Sequence, residues 1–175
     1  MPPLPLLRPL LLALILHLGG TQLRAEHFMG GSLTYECLGG NNFRITYDMY
    51  LDCSGVAAQP QTLHFFNSCG VSFSIGNLLP VEVIEISPLC AAQIPNSTCN
   101  GGALPGIMLY RFQYDIYLSP CDHWTIAAAP CCRNPTTVNI LYEPGFFIEA
   151  TLNNLNGICD DSPQFANPGI PYVCL

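Results

Sequence analysis

Apolar and polar residues alternate through two neighbouring stretches, 32–38 and 43–51, separated by Gly39-Gly40-Asn41-Asn42. In the second stretch Phe43, Ile45, Tyr47, Met49 and Leu51 share one face, while Arg44, Thr46, Asp48 and Asp52 fall largely on the other. A period of two on either side of a Gly/Asn turn predicts a β-hairpin. Further strands are predicted over 62–66, 71–75, 81–86, 107–118, 124–128, 137–142 and 146–152, each bounded by Gly, Pro, Asn or Ser. Beyond residue 25 no window keeps a 3.6-residue apolar period for three turns. Pro60, Pro80, Pro88, Pro95, Pro105, Pro120, Pro130, Pro135 and Pro144 interrupt the chain too often for long helices. About nine short strands predict an all-β chain, an antiparallel sandwich of immunoglobulin-like or jelly-roll-like type. A barrel is the second choice, because sequence does not show whether sheet edges close.

Residues 1–25 follow a different pattern. Arg8 precedes an apolar run over 9–18, then Gly19-Gly20 and a short polar stretch ending in Ala25. This is the layout of a secretory signal peptide, and the run is far shorter than the roughly 20 residues a membrane span needs. Cleavage is expected near Ala25, with Gly20 as the alternative, and no transmembrane segment is expected afterwards. Residues 26–175 then read as one domain without repeat or linker. Its tail, 159–175, carries Pro163, Pro168 and Pro171 and is expected to form an extended, disulfide-tethered strap.

Loss of residues 1–25 removes two of five arginines and none of 12 acids, so the net charge moves from −7 to −9. No lysine occurs, and Arg44, Arg111 and Arg133 are the remaining fixed positive charges. Such a chain lacks the basic footprint that nucleic acid requires, and anionic lipid is an equally poor partner.

Ten cysteines, Cys37, Cys53, Cys69, Cys90, Cys99, Cys121, Cys131, Cys132, Cys159 and Cys174, follow the leader. An even count behind an export signal predicts a disulfide framework rather than metal or redox chemistry. Cys90 and Cys99 flank a short loop and are expected to bridge locally. Cys131 and Cys132 point to opposite faces if they lie on a strand, so they are expected to take different partners. Asp52 and Arg133 each adjoin a cysteine, and a partly buried pair between them would orient the bridged strands.

Candidate chemistry is sparse. Cys121 and His123 place a thiol and an imidazole on one face of a strand, but a cysteine from an even, oxidised set is expected to be bonded. No Gly-x-Ser-x-Gly elbow, His-Glu-x-x-His helix or phosphate-binding glycine loop occurs, and His27, His64 and His123 are not spaced as zinc ligands. No enzyme and no cofactor are expected. Asp160 and Asp161, with Asn153, Asn154 and Asn156, offer oxygen ligands of the kind calcium takes, although a solvated loop is the simpler expectation. Asn96-Ser97-Thr98 is a glycosylation sequon. Trp124 with Tyr110, Tyr114 and Tyr117 is a candidate sugar-stacking surface if the rings lie together on an exposed face, although core and cross-strand pairs are the simpler expectation for most of these rings.

Several stretches together carry a resemblance: His27-Phe28-Met29-Gly30-Gly31-Ser32-Leu33-Thr34-Tyr35, Tyr50-Leu51-Asp52-Cys53-Ser54-Gly55, Cys99-Asn100-Gly101-Gly102, Cys121-Asp122-His123-Trp124, Cys131-Cys132-Arg133-Asn134-Pro135 and Ser162-Pro163-Gln164-Phe165. From about His27 to Cys174 the chain resembles the amino-terminal domain of large secreted Bacteroidetes surface proteins. Those adhesin-like chains often end in a gliding-motility-associated carboxy-terminal domain. The resemblance implies export, then display on or release from the cell surface, in a structural or adhesive role and without catalytic residues. Such proteins usually continue beyond this module, so the chain is expected to be either a fragment or a small protein working alone. The expected partners are other domains or subunits of a surface assembly, or extracellular polysaccharide. A further expectation is a filament subunit joined by strand addition through the tail 160–175.

Overall fold

A computed structural model describes residues 27–131 and 145–163. It contains β1 (Phe28–Gly39), β2 (Asn42–Asp52), β3 (Gln61–Asn67), β4 (Ser72–Leu78), β5 (Glu82–Glu85), β6 (Ile107–Tyr117), β7 (Trp124–Ala128) and β8 (Ile148–Leu152). The leader 1–25, the strand expected over 137–142, Arg133, Cys132, Cys174 and the strap beyond Pro163 lie outside the described residues.

The strands form two antiparallel four-stranded sheets, ordered β1-β2-β6-β5 and β4-β3-β7-β8, packed as a sandwich and not closed into a barrel. Successive strand pairs alternate between sheets, so the chain crosses the core after β2, β4 and β6. Lettered in chain order, these sheets are ABED and C′CFG, the strand order of an immunoglobulin-type sandwich with one added C′ strand.

The first hairpin turns at Gly39, Gly40 and Asn41, all with positive φ, a conformation that glycine and asparagine tolerate best. It fixes the register of β2 against β1, and β2 in turn pairs with β6 over its whole length. Phe43, Ile45, Tyr47, Met49 and Leu51 are all fully buried. Across the core they meet the second sheet's Leu63, Phe65, Trp124 and Ile126 in one cluster. Tyr47 stacks on Phe112, Phe65 stacks on Phe73, and Phe73 meets Trp124 edge-on.

Disulfides sit at the strand ends. Cys53–Cys99 ties the β2–β3 crossing to the β5–β6 loop, Cys69–Cys121 ties the β3–β4 turn to the β6–β7 crossing, and Cys37–Cys159 ties the end of β1 to the strap after β8. Cys99 therefore bonds Cys53, and the local Cys90–Cys99 bridge expected from loop length does not form. Sequence spacing misses this because the β2–β6 pairing places residues 53 and 99 at the same pole of the sandwich. Cys90 and Cys131 are disulfide-bonded as well, and among the described residues no cysteine is free.

The β6–β7 crossing is held by buried side chains. Asn154 donates its amide to the Leu118 carbonyl at 2.8 Å and accepts from the Cys121 backbone N–H at 2.9 Å, while the Trp124 indole donates to the Ser119 carbonyl at 2.9 Å. Replacing Asn154 by alanine strands a buried carbonyl and a buried N–H, so Asn154→Ala is expected to cost about 2–4 kcal/mol. Urea unfolding of the oxidised protein measures it, and a loss below about 0.5 kcal/mol would contradict the clamp.

Candidate functional site

On the outer face of the first sheet the cross-strand register builds two charge ladders. Arg111 on β6 stands between Asp48 on β2 and Glu82 on β5. Its guanidinium donates two parallel bonds to Asp48, at 2.8 and 2.9 Å, and one to Glu82 at 2.8 Å. Arg44 makes the same fork to Asp115 at 2.8 Å for each bond. The hydrogen bonds to Asp48 raise the Arg111 pKa well above its usual value, and the bonds from Arg44 hold the Asp115 carboxyl below its own. Both described arginines are thus committed to intramolecular pairs. Strand alternation marks Arg44 and Asp48 as outward, but not their partners, which depend on β6 pairing with β2.

Glu85, at the end of β5, has no cationic partner in these pairs and is held by neutral donors instead. Burial alone would raise its pKa; hydrogen bonds from Ser87, Ser97 and Asn100 outweigh that and lower it. Ser87 Oγ donates at 2.6 Å and Asn100 Nδ2 at 2.8 Å. The Ser87 hydroxyl also accepts the Ile107 N–H at 3.0 Å, so Glu85 joins the edge strand, the 3₁₀ turn Thr98–Asn100 and the start of β6. Within this loop Gly102 packs so closely on the Asn96 carbonyl that a side chain there would collide with it. The sequon residue Asn96 is itself exposed.

The structure separates the four aromatic residues named as a sugar-stacking row. Trp124 is 1% exposed, in the core of the second sheet. Tyr110 and Tyr114 pack against the core from the first sheet. Tyr117 is 59% exposed and, by register, lies on the outer face. The four rings therefore offer no common exposed face. All five residues of β7 are buried, so Trp124 is core, the simpler of the two expectations for it.

Cys121 is bonded to Cys69, so it presents no thiol for His123 to activate. Cys69, Cys121 and Asp122 bring three ligand atoms together, but two of these are disulfide sulfurs rather than thiolates. His64 bonds Ser74 on the outer face, His27 bonds Ser54, and His123 approaches Thr125. Of the oxygen ligands considered for calcium, Asp161 accepts the Cys37 N–H, Asn153 accepts the Leu155 N–H, and Asn154 is the buried clamp. Asp52 accepts the Ser54 N–H at 2.8 Å in a turn beside Cys53; its expected partner, Arg133, lies outside the described residues.

The strap and the opposite edge differ in character. Asp161 and Ser162 lie along β1: the Ser162 N–H donates to the Tyr35 carbonyl at 2.9 Å, and the Tyr35 N–H donates to Ser162 Oγ at 2.9 Å. With Cys37–Cys159 they cover part of the β1 edge. At the other side β5 pairs only with β6 among the described residues. Leu79, Val81, Val83 and Ile84 there are 68, 60, 50 and 42% exposed. Val83 lies opposite Tyr110 on the inner side of the sheet, yet it is half open. Sequence patterning marks 81–86 as a strand but cannot show that it lies at an edge.

No protein-family model, curated protein or solved structure matches the chain. Among the described residues no helix is long and apolar enough to cross a membrane. The disulfides mark a protein of an oxidising, extracytoplasmic compartment.

Glu85 generates a pH prediction. Because its folded pKa lies below the unfolded value, its contribution to stability is fully present above the ordinary carboxylate range and is lost as pH falls through the depressed folded pKa. Glu85→Gln is expected to flatten the acid side of the stability–pH curve, measured by urea midpoints at successive pH values. An unchanged curve would mean that the carboxylate is not held as described.

Proposed function

We propose that this chain is a non-enzymatic contact module of a secreted or cell-surface protein, structural or adhesive in role. The observation that carries this reading is the exposure of the apolar residues Leu79, Val81, Val83 and Ile84 along the β5 edge, with Val83 on the inner side of the sheet and Ile84 on the outer. Edge strands of soluble sandwiches are commonly blunted by charge, proline or a covering segment, because unpaired backbone groups invite another strand. Pro80 and Glu82 blunt this edge only in part. The β1 edge carries the strap instead.

The export leader, the disulfides and the resemblance to adhesin-like surface modules support the same reading. Bridges at both poles keep the frame folded outside the cell, and the apolar edge gives it a face for neighbouring domains or subunits. Filament assembly by strand addition is the alternative, favoured by the same open edge. The described part of the tail, Cys159 to Pro163, runs against its own β1, so that part serves within the subunit.

The test is the combined variant Val81→Ser, Val83→Ser and Ile84→Ser. These side chains are already half exposed, so the thermal midpoint should hardly move. Retention of the exported protein on the producing cell's surface should fall by more than about tenfold, the equivalent of 1.4 kcal/mol of lost contact. Equal retention of variant and parent would remove the β5 edge as the contact face.

A further inference from the structure

Two asparagines in the chain precede a glycine, Asn100 and Asn156, and the fold treats them oppositely. Glycine leaves the following peptide nitrogen sterically open to the asparagine side-chain carbonyl carbon, the geometry from which an amide is lost as ammonia. Asn100 is restrained: its amide nitrogen donates to Glu85 at 2.8 Å, to the Ile94 carbonyl at 2.9 Å and to Ser97 Oγ at 3.1 Å. Asn156 is exposed. It sits at φ 59°, ψ 24° within the turn Leu155–Gly157 and is followed by Gly157 at φ 77°. Among the described residues its side chain has no hydrogen-bond or ion-pair partner.

We infer that Asn156 is a site of spontaneous deamidation and isoaspartate formation, placed at the turn that delivers the strap to β1. The Gly157 nitrogen, giving its proton to solvent base, bonds to Cγ of Asn156. The Cγ–Nδ2 bond breaks and ammonia leaves with a proton from water, closing a five-membered succinimide. Water then opens the ring at either carbonyl, giving aspartate or isoaspartate. The net exchange is one water gained for one ammonia lost, and no oxidant or reductant takes part.

The position gives this chemistry a structural consequence. Isoaspartate routes the backbone through the former side chain, adding a methylene three residues before Cys159, and it leaves a carboxylate close in sequence to Asp160 and Asp161. Downstream, Asp161 accepts the Cys37 N–H at 2.7 Å and Ser162 brackets Tyr35. The lengthened, more acidic turn loosens that grip while Cys37–Cys159 keeps the strap attached. An extracellular protein that is not resynthesised in place would accumulate the change with age.

The test is incubation of the intact, oxidised protein at mildly alkaline pH, followed by peptide mapping for the amide-to-acid mass increase and for isoaspartate. Conversion at Asn156 should outrun that at Asn100 by more than about tenfold, since freeing the Asn100 amide forfeits several hydrogen bonds worth ~1 kcal/mol each. In the reduced, urea-unfolded chain the two sites should convert alike. Asn156→Gly, which accepts the positive φ, should abolish conversion at that position without unfolding the protein. Backbone exchange at Tyr35 and Cys37 should quicken severalfold in aged parent and not in aged Asn156→Gly. An unconverted Asn156, or folded-state rates equal at the two sites, overturns the assignment; unchanged exchange at Tyr35 and Cys37 overturns the link to the strap.

Discussion

The register of β2 is the constraint on which the rest of the molecule depends. With Phe43, Ile45, Tyr47, Met49 and Leu51 buried, Arg44 and Asp48 must face outward, where β6 supplies Asp115 and Arg111 at matching heights. A slip of one residue would turn Arg44, Thr46 and Asp48 into the core. Burial of such charges without partners costs far more than the pairs contribute at the surface. Core and charge ladder therefore enforce the same alignment from opposite faces of one sheet. The positive-φ turn at Gly39–Asn41 starts that alignment.

From this alignment follow the poles and the edges. Pairing of β2 with β6 brings the β2–β3 crossing beside the β5–β6 loop, where Cys53 meets Cys99. At the far pole the β6–β7 crossing is held by Asn154, Trp124 and Cys69–Cys121. The strap takes one edge of the first sheet and leaves β5 at the other. A disulfide framework in a chain large enough to own a core serves persistence, limiting the unfolded ensemble by roughly 2–4 kcal/mol per bridge. Among the described residues β5 has β6 as its one partner strand, which is the feature the proposed contact role rests on.

Much of this is legible in the sequence alone. The hairpin at Gly39–Asn42, the strand at 124–128 and the exclusion of long helices follow from period and proline spacing, because those signals are local. The cysteine pairing was not legible, since Cys53 and Cys99 become neighbours only through strand order. Whether Trp124 shares an exposed face with the tyrosines was not legible either, since that depends on which sheet each strand joins. Asn154, within a polar run that could have been a ligand loop, is instead a fully buried clamp, and only the crossing it holds explains it. That the strand expected over 81–86 lies at a sheet edge was not legible, because sequence does not tell an edge strand from a central one.

The central claim is that strand order sets the bridges. Peptide mapping of the exported, unreduced protein by mass spectrometry tests it most directly. The fold requires linked peptides joining Cys37 to Cys159, Cys53 to Cys99 and Cys69 to Cys121. A Cys90–Cys99 link, or a free thiol at Cys121, would contradict both the sandwich order and the function built on it.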